Sequence, residues 1–203
     1  MKTANRIASG RRRTQERRTE VQRRYPIGAE LVNASEAHFR LWAPKVQHVE
    51  LVLEGAGKNG CDVYPLTREE GGYFSGLAEA RSGQRYRFRL DRGEQLYPDP
   101  ASRFQPEGPH GASEIIDPAQ FEWVDREWRG VKLPGQMMYE LHVGTFALEG
   151  TWRAAAEKLP LLKEDGITLV EMMPVGDFPG RFGWGYDGVN LFAPCHLYGT
   201  PDD

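Results

Sequence analysis

Hydrophobic and polar positions alternate with period two through much of the first half of the chain. In Glu36–Trp42, Ala37, Phe39 and Leu41 share one face and His38 and Arg40 the other. In His48–Glu54, Val49, Leu51 and Leu53 alternate with Glu50 and Glu54, and in Arg85–Asp91, Tyr86, Phe88 and Leu90 alternate with three arginines. Such alternation predicts half-buried strands. Turn signals separate them: Gly55-Ala56-Gly57, Lys58-Asn59-Gly60, Gly71-Gly72 and Asp91-Arg92-Gly93. Short strands at this spacing predict an antiparallel β-sandwich over 25–117. His38 and His48, on the polar faces, read as surface histidines, and Arg40, Arg87 and Arg89 as a solvated face.

The pattern changes after a Pro/Gly-rich connection at 97–112 and a segment, 118–136, that reads as a linker. Trp123 and Trp128 in that linker predict an interface between domains. Met137–Val143 and Ile167–Val175 are apolar strand candidates. Between them Trp152, Ala155, Leu159 and Leu162 recur at three- and four-residue steps, predicting a helix over Thr151–Asp165. Thr151 is placed to cap it and Gly166 to end it, while Pro160 favours a kink. Strand–helix–strand at this spacing is a βαβ unit whose parallel strands are buried on both faces. The last residues, Thr200-Pro201-Asp202-Asp203, have the form of a helix start. The expectation is therefore an N-terminal part of a longer protein.

Composition narrows the class. The 203 residues are 39% hydrophobic, 11% aromatic and 27% charged. No run approaches the ~20 apolar residues of a membrane helix, and no membrane association is expected. The net charge of −3 is unevenly distributed: residues 1–24 hold nine basic and two acidic residues. This basic arm lacks the apolar core of an export signal and reads as disordered. The acidic remainder argues against a nucleic-acid partner. Cys61 and Cys195 belong to no CxxC pair and read as free thiols of a cytoplasmic protein. No metal is expected, because neither cysteine has a spaced set of partners and adjacent residues such as Cys195 and His196 rarely ligate one ion. No cofactor is expected either.

Three segments stand in an order seen in one enzyme clan: Tyr139-Glu140-Leu141-His142-Val143-Gly144-Thr145-Phe146, Val170-Glu171-Met172-Met173-Pro174-Val175 and Gly183-Trp184-Gly185-Tyr186-Asp187-Gly188-Val189. Phe192-Ala193-Pro194 and Tyr198-Gly199-Thr200-Pro201-Asp202-Asp203 continue the series. Upstream, Phe39-Arg40-Leu41-Trp42-Ala43-Pro44 resembles the start of the immunoglobulin-like module that precedes the barrel in isoamylases and glycogen branching enzymes, which makes the 25–117 sandwich an immunoglobulin-like β-sandwich by resemblance. The chain thus resembles the α-amylase clan, family 13, of glycoside hydrolases. Within the clan it resembles the malto-oligosyltrehalose trehalohydrolase family, through Pro98-Asp99-Pro100-Ala101-Ser102-Arg103-Phe104-Gln105-Pro106 and through Asp187, where branching enzymes typically have Gln after the Tyr. Asp165 departs from the family, which usually has Leu before the Gly.

The resemblance implies the truncated start of a (β/α)8 TIM barrel over 137–203, far short of the ~250 residues a barrel needs. It implies retaining hydrolysis of an α-1,4 glucosidic bond to release trehalose from maltooligosyltrehalose, in trehalose biosynthesis. The paired carboxylates of that chemistry belong to later strands, so this chain should hold no catalytic residue and be inactive alone. The implied substrate-binding residues are Tyr186, stacking on the sugar beside the cleaved bond, Asp187, supporting that subsite, and Trp184. Phe178 and Phe182 read as packing groups, and Glu140, Glu171 and His142 as structural. Alternative readings are a fragment of a branching or debranching enzyme and a non-catalytic α-glucan-binding module. The sequence does not reveal the oligomeric state.

Overall fold

The computed structural model describes residues 21–55 and 60–203. The basic arm lies outside the described residues except for its last four, of which Arg23 and Arg24 contact the folded body. The Arg23 guanidinium donates to the carbonyls of Tyr25, Gly28 and His38, at 2.8–3.0 Å. Its side chain is largely buried, so this arginine acts as a clasp on the first strand.

Nine strands build the first unit: β1 (Gly28–Asn33), β2 (Glu36–Trp42), β3 (Val49–Glu54), β4 (Cys61–Pro65), β5 (Thr67–Arg68), β6 (Tyr73–Glu79), β7 (Arg85–Leu90), β8 (Leu96–Tyr97) and β9 (Ser113–Glu114). They form two antiparallel sheets, β1-β2-β6-β5 and β4-β3-β7-β8, with β9 also pairing with β7. The three alternating segments of the sequence are β2, β3 and β7. Their apolar faces meet between the sheets, where Ala37, Phe39, Leu51, Leu53, Phe74, Tyr86, Phe88 and Ile115 are almost wholly buried. Phe39 and Phe88 pack edge-on against Tyr86, with ring centroids 5.0 and 5.8 Å away, a favoured arrangement for aromatic quadrupoles. The opposite faces are charged and paired: Arg89 with Glu50 and Arg87 with Glu54, both at 3.2 Å.

A buried polar network closes this unit over the Pro-Asp-Pro segment. Asp99 accepts from the Tyr86 hydroxyl at 2.7 Å and from the Ala101 amide at 2.8 Å, and its own amide donates to Ser113 Oγ. Ser113 donates in turn to Gln105 Oε1 at 2.7 Å. Asp99, Gln105 and Ser113 are wholly buried. Satisfied in this way, buried polar groups fix one chain path where apolar contacts would allow several.

Among the described residues, Trp123 and Trp128 are not packed against either unit. Each is 66% exposed, and Phe121 packs edge-on against Trp123. Among the described residues the segment 118–136 makes only local hydrogen bonds, so nothing ties it to either unit.

In the second unit, β10 (Met138–Leu141) and β11 (Leu169–Met172) pair in parallel, in register from Met138 opposite Leu169 to Leu141 opposite Met172. Both strands are shorter than the apolar runs that predicted them. Val143–Phe146 forms a one-turn helix, α1, because the backbone turns at His142. The crossover is α2 (Trp152–Glu164), capped by Thr151 Oγ1, which accepts from the Ala154 amide. Gly166, at φ +88°, ends it. The helix continues through Pro160, which is exposed. The two strands are not buried on both faces: Met138 and Met172 are about half exposed, since no further strand flanks either one among the described residues. The antiparallel pair β12 (Gly176–Asp177) and β13 (Asn190–Pro194) follows.

Candidate functional site

The loop between β12 and β13 carries the residues singled out by the sequence. Phe178 is buried among Leu141, Val143, Cys195 and Tyr198. Gly183 lies directly on it: a Cβ there would stand 2.8 Å from the Phe178 ring. Gly185, at φ +89°, is less tight: a Cβ there would stand 3.3 Å from Met173 and 3.4 Å from the His142 ring. These two glycines let the backbone lie close against Phe178, Met173 and His142, while Trp184 and Tyr186 face outward. Trp184 is 84% exposed and Tyr186 71%. Phe182, expected to pack, is also exposed, because its backbone is carried outward by the turn before Gly183.

Two polar contacts hold the loop. Asp187 Oδ2 accepts from the Trp184 amide at 2.7 Å, closing a turn that sets Trp184 and Tyr186 in place. His142, at the C-terminal end of β10, has Nε2 3.1 Å from the Gly183 carbonyl and 3.4 Å from the Tyr198 hydroxyl. The Tyr198 ring stands edge-on to His142 and to Trp152. Burial, with a smaller contribution from Cys195, pushes the Tyr198 phenol up to about 12. The sequence reading gave His142 no part in this loop. The signal that could have found it is its place at the end of a strand ahead of an aromatic loop. Glu140 and Glu171 stand side by side in the parallel register, both exposed, and form no enclosed carboxyl pair.

A second cluster lies at the base of the same hairpin. Asp177, Cys195 and His196 bring a carboxylate, a thiol and an imidazole within 4.8 Å of one another. Asp177 Oδ1 lies 2.8 Å from His196 Nδ1 and also accepts from the His196 amide. Sequence spacing could not show this, because β12–β13 pairing brings Asp177 back to the adjacent Cys195 and His196.

On the sandwich, a groove of about 1170 Å³ is lined by residues including Arg23, His38, Arg40, Arg68, Glu69 and Leu77. Within its wall Arg40 pairs with Glu69 at 2.8 Å. Burial, then the neighbouring Arg23 charge, holds His38 below its ordinary value.

Residues 26–118 match the carbohydrate-binding module 48 family, the isoamylase N-terminal domain. The first unit therefore corresponds in extent to that module. Over 80% of its length the chain is 47% identical to malto-oligosyltrehalose trehalohydrolase of Saccharolobus solfataricus, and over 85% it is 42% identical to that of Deinococcus radiodurans. It also matches the crystal structure of a Salmonella typhimurium protein assigned as an alpha amylase, with 42% identity and a TM-score of 0.80 over 87% of this chain and 29% of that one. An Anoxybacillus pullulanase complexed with maltotetraose shares the fold, with a TM-score of 0.72 at 22% identity. The chain spans about 28% of the length of the two trehalohydrolases it matches above.

Proposed function

We propose that this chain is the front part of a cytoplasmic trehalohydrolase that releases trehalose from maltooligosyltrehalose, serving trehalose biosynthesis. On this reading β10, α2 and β11 open a (β/α)8 barrel, and the loop from Gly176 to Val189 lies on its catalytic face, where loops after barrel strands gather. Trp184 and Tyr186 offer aromatic planes to the apolar faces of glucose rings, and Asp187 braces them through the Trp184 amide. The observation that carries the reading is the pair of solvent-facing aromatics fixed by Gly183, Gly185 and Asp187, in a chain 47% identical to a trehalohydrolase. The sandwich would hold the glucan chain or brace the barrel.

The carboxylates needed for covalent attack and leaving-group protonation are assigned to strands beyond residue 203, so the chain alone should release no trehalose. Trp184 fluorescence, followed while the chain is titrated with maltooligosyltrehalose and with maltooligosaccharide of equal length, tests the site. A saturable change lost in Tyr186→Ala supports it. An unchanged response in that variant would assign the aromatics to packing against the rest of the enzyme. The alternative of a branching enzyme rests on 30% identity to a 1,4-alpha-glucan branching enzyme of Xanthomonas euvesicatoria. It predicts no preference for the trehalose-capped sugar.

A further inference from the structure

We propose that Asp177, Cys195 and His196 form a binding site for one zinc-class divalent cation, with Asn190 as the fourth protein donor. Asp177 and Cys195 are wholly buried, and their donor atoms lie within 4.8 Å of each other and of a ring nitrogen of His196. His196 is only partly covered, which leaves a route for an ion to enter.

Two unused acceptors make this more than a chance grouping. Asp177 Oδ2 and Asn190 Oδ1 are both buried and have no hydrogen-bond partner among the described residues. Asp177 and Asn190 face each other in the β12–β13 register, and opposed residues of an antiparallel pair project from the same face. Buried lone pairs without a partner are costly. A cation would engage both.

The donor set selects the ion. Thiolate, imidazole and carboxylate together suit a borderline metal of tetrahedral habit such as Zn²⁺, while Mg²⁺ and Ca²⁺ require oxygen donors throughout. Binding would exchange protons for the metal. The Cys195 thiol would release its proton to solvent, and His196 would coordinate through Nδ1 with its remaining proton on Nε2. The present bond between Asp177 Oδ1 and His196 Nδ1 would open, and Asp177 would turn Oδ2 to the ion.

The site has a mechanical consequence. His196 Cε1 lies 3.4 Å from where a Cβ of Gly108 would stand, so its ring packs on the Pro/Gly segment between β8 and β9 of the sandwich. An ion fixing His196 would stiffen this junction and the base of the aromatic loop. The inference is independent of the trehalohydrolase reading.

The test uses the full chain, stripped with chelator and titrated with Zn²⁺ and Co²⁺. One ion per chain is expected, with a cobalt–thiolate charge-transfer band and a raised melting temperature. Cys195→Ser should abolish the band. His196→Gln, which keeps a side-chain hydrogen-bond donor beside the buried Asp177, should weaken binding about tenfold or more. Cys61→Ser, which removes the exposed thiol, should change nothing. Excess Mg²⁺ should not compete. Should Cys195→Ser fail to fold, His196→Gln decides. Absence of the band, unweakened binding in His196→Gln, or loss of binding in Cys61→Ser would overturn the proposal.

Discussion

Tyr86 donates its hydroxyl proton to Asp99 across 2.7 Å in the closed interior of the sandwich. Burial, working against the donors Ala101 and Tyr86 and the nearby charges of Arg23 and Arg103, pushes the Asp99 carboxyl up to about 6. In the unfolded chain it would titrate near 3.9. Between these values the native state holds a proton that the unfolded state has lost. The contribution of this group to stability therefore rises as pH falls from about 6 to about 4 and is lost as pH rises through about 6. Two units correspond to roughly 3 kcal/mol. We expect the melting temperature of the sandwich to fall less on acidification than in Asp99→Asn, which lacks the titration. Parallel melting curves for the two proteins from pH 4 to 7 would contradict this. Tyr86→Phe should cost about 1–3 kcal/mol at neutral pH, by leaving Asp99 Oδ2 buried without a donor.

Phe39 is fully buried and touches the Tyr86 ring edge-on. Phe39→Ala should cost about 3–5 kcal/mol, through lost transfer energy and the cavity left behind. Denaturant unfolding of residues 21–118, which carry both sheets, measures it. A loss below about 1 kcal/mol would mean that the sheets close over the cavity.

Tyr186 is mostly solvent-exposed, so Tyr186→Ala should shift stability by no more than about 0.5 kcal/mol. In a full-length enzyme carrying this segment it should lower turnover strongly, because it removes a group that would position the sugar. Paired measurements of melting temperature and trehalose release separate the two effects. Normal turnover would assign the ring to packing.

Gly183→Ala places a methyl group 2.8 Å from the Phe178 ring. Phe178 is boxed in by the second core and cannot yield, so the loop must lift. We expect faster proteolytic cleavage between 179 and 189 and a changed Trp184 emission, with the sandwich melt unaltered. An unchanged digestion pattern would show that the loop is not held by this contact.

Both outer edges of the β10–β11 pair lack a strand partner among the described residues, and Met137, Met138 and Met172 stand exposed beside them. Open apolar edges recruit other chains. Sedimentation should show the full chain self-associating and residues 21–118 monomeric at equal concentration. A monodisperse full-length monomer would show that these edges are already protected.

The alternation at Phe39, Leu51 and Phe88 was enough to read strands, faces and the core of the sandwich, because a half-buried strand must repeat every two residues whatever its partners. The caps Thr151 and Gly166 were legible for a similar reason: helix ends are settled by local hydrogen bonds and local φ. Strand lengths in the second unit were not legible, since apolar runs such as Ile167–Val175 continue beyond the stretch that finds a pairing partner. The outward aromatics Trp184 and Tyr186 could be named from their motif, but their support by Phe178 and His142 depends on a chain reversal that local pattern does not encode. The same holds for Asp177. Its type and its distance along the chain from Cys195 and His196 say nothing of a cluster. Only the pairing of β12 with β13 brings three such donors together, because contact between residues far apart in sequence is decided by which strands meet and in what register.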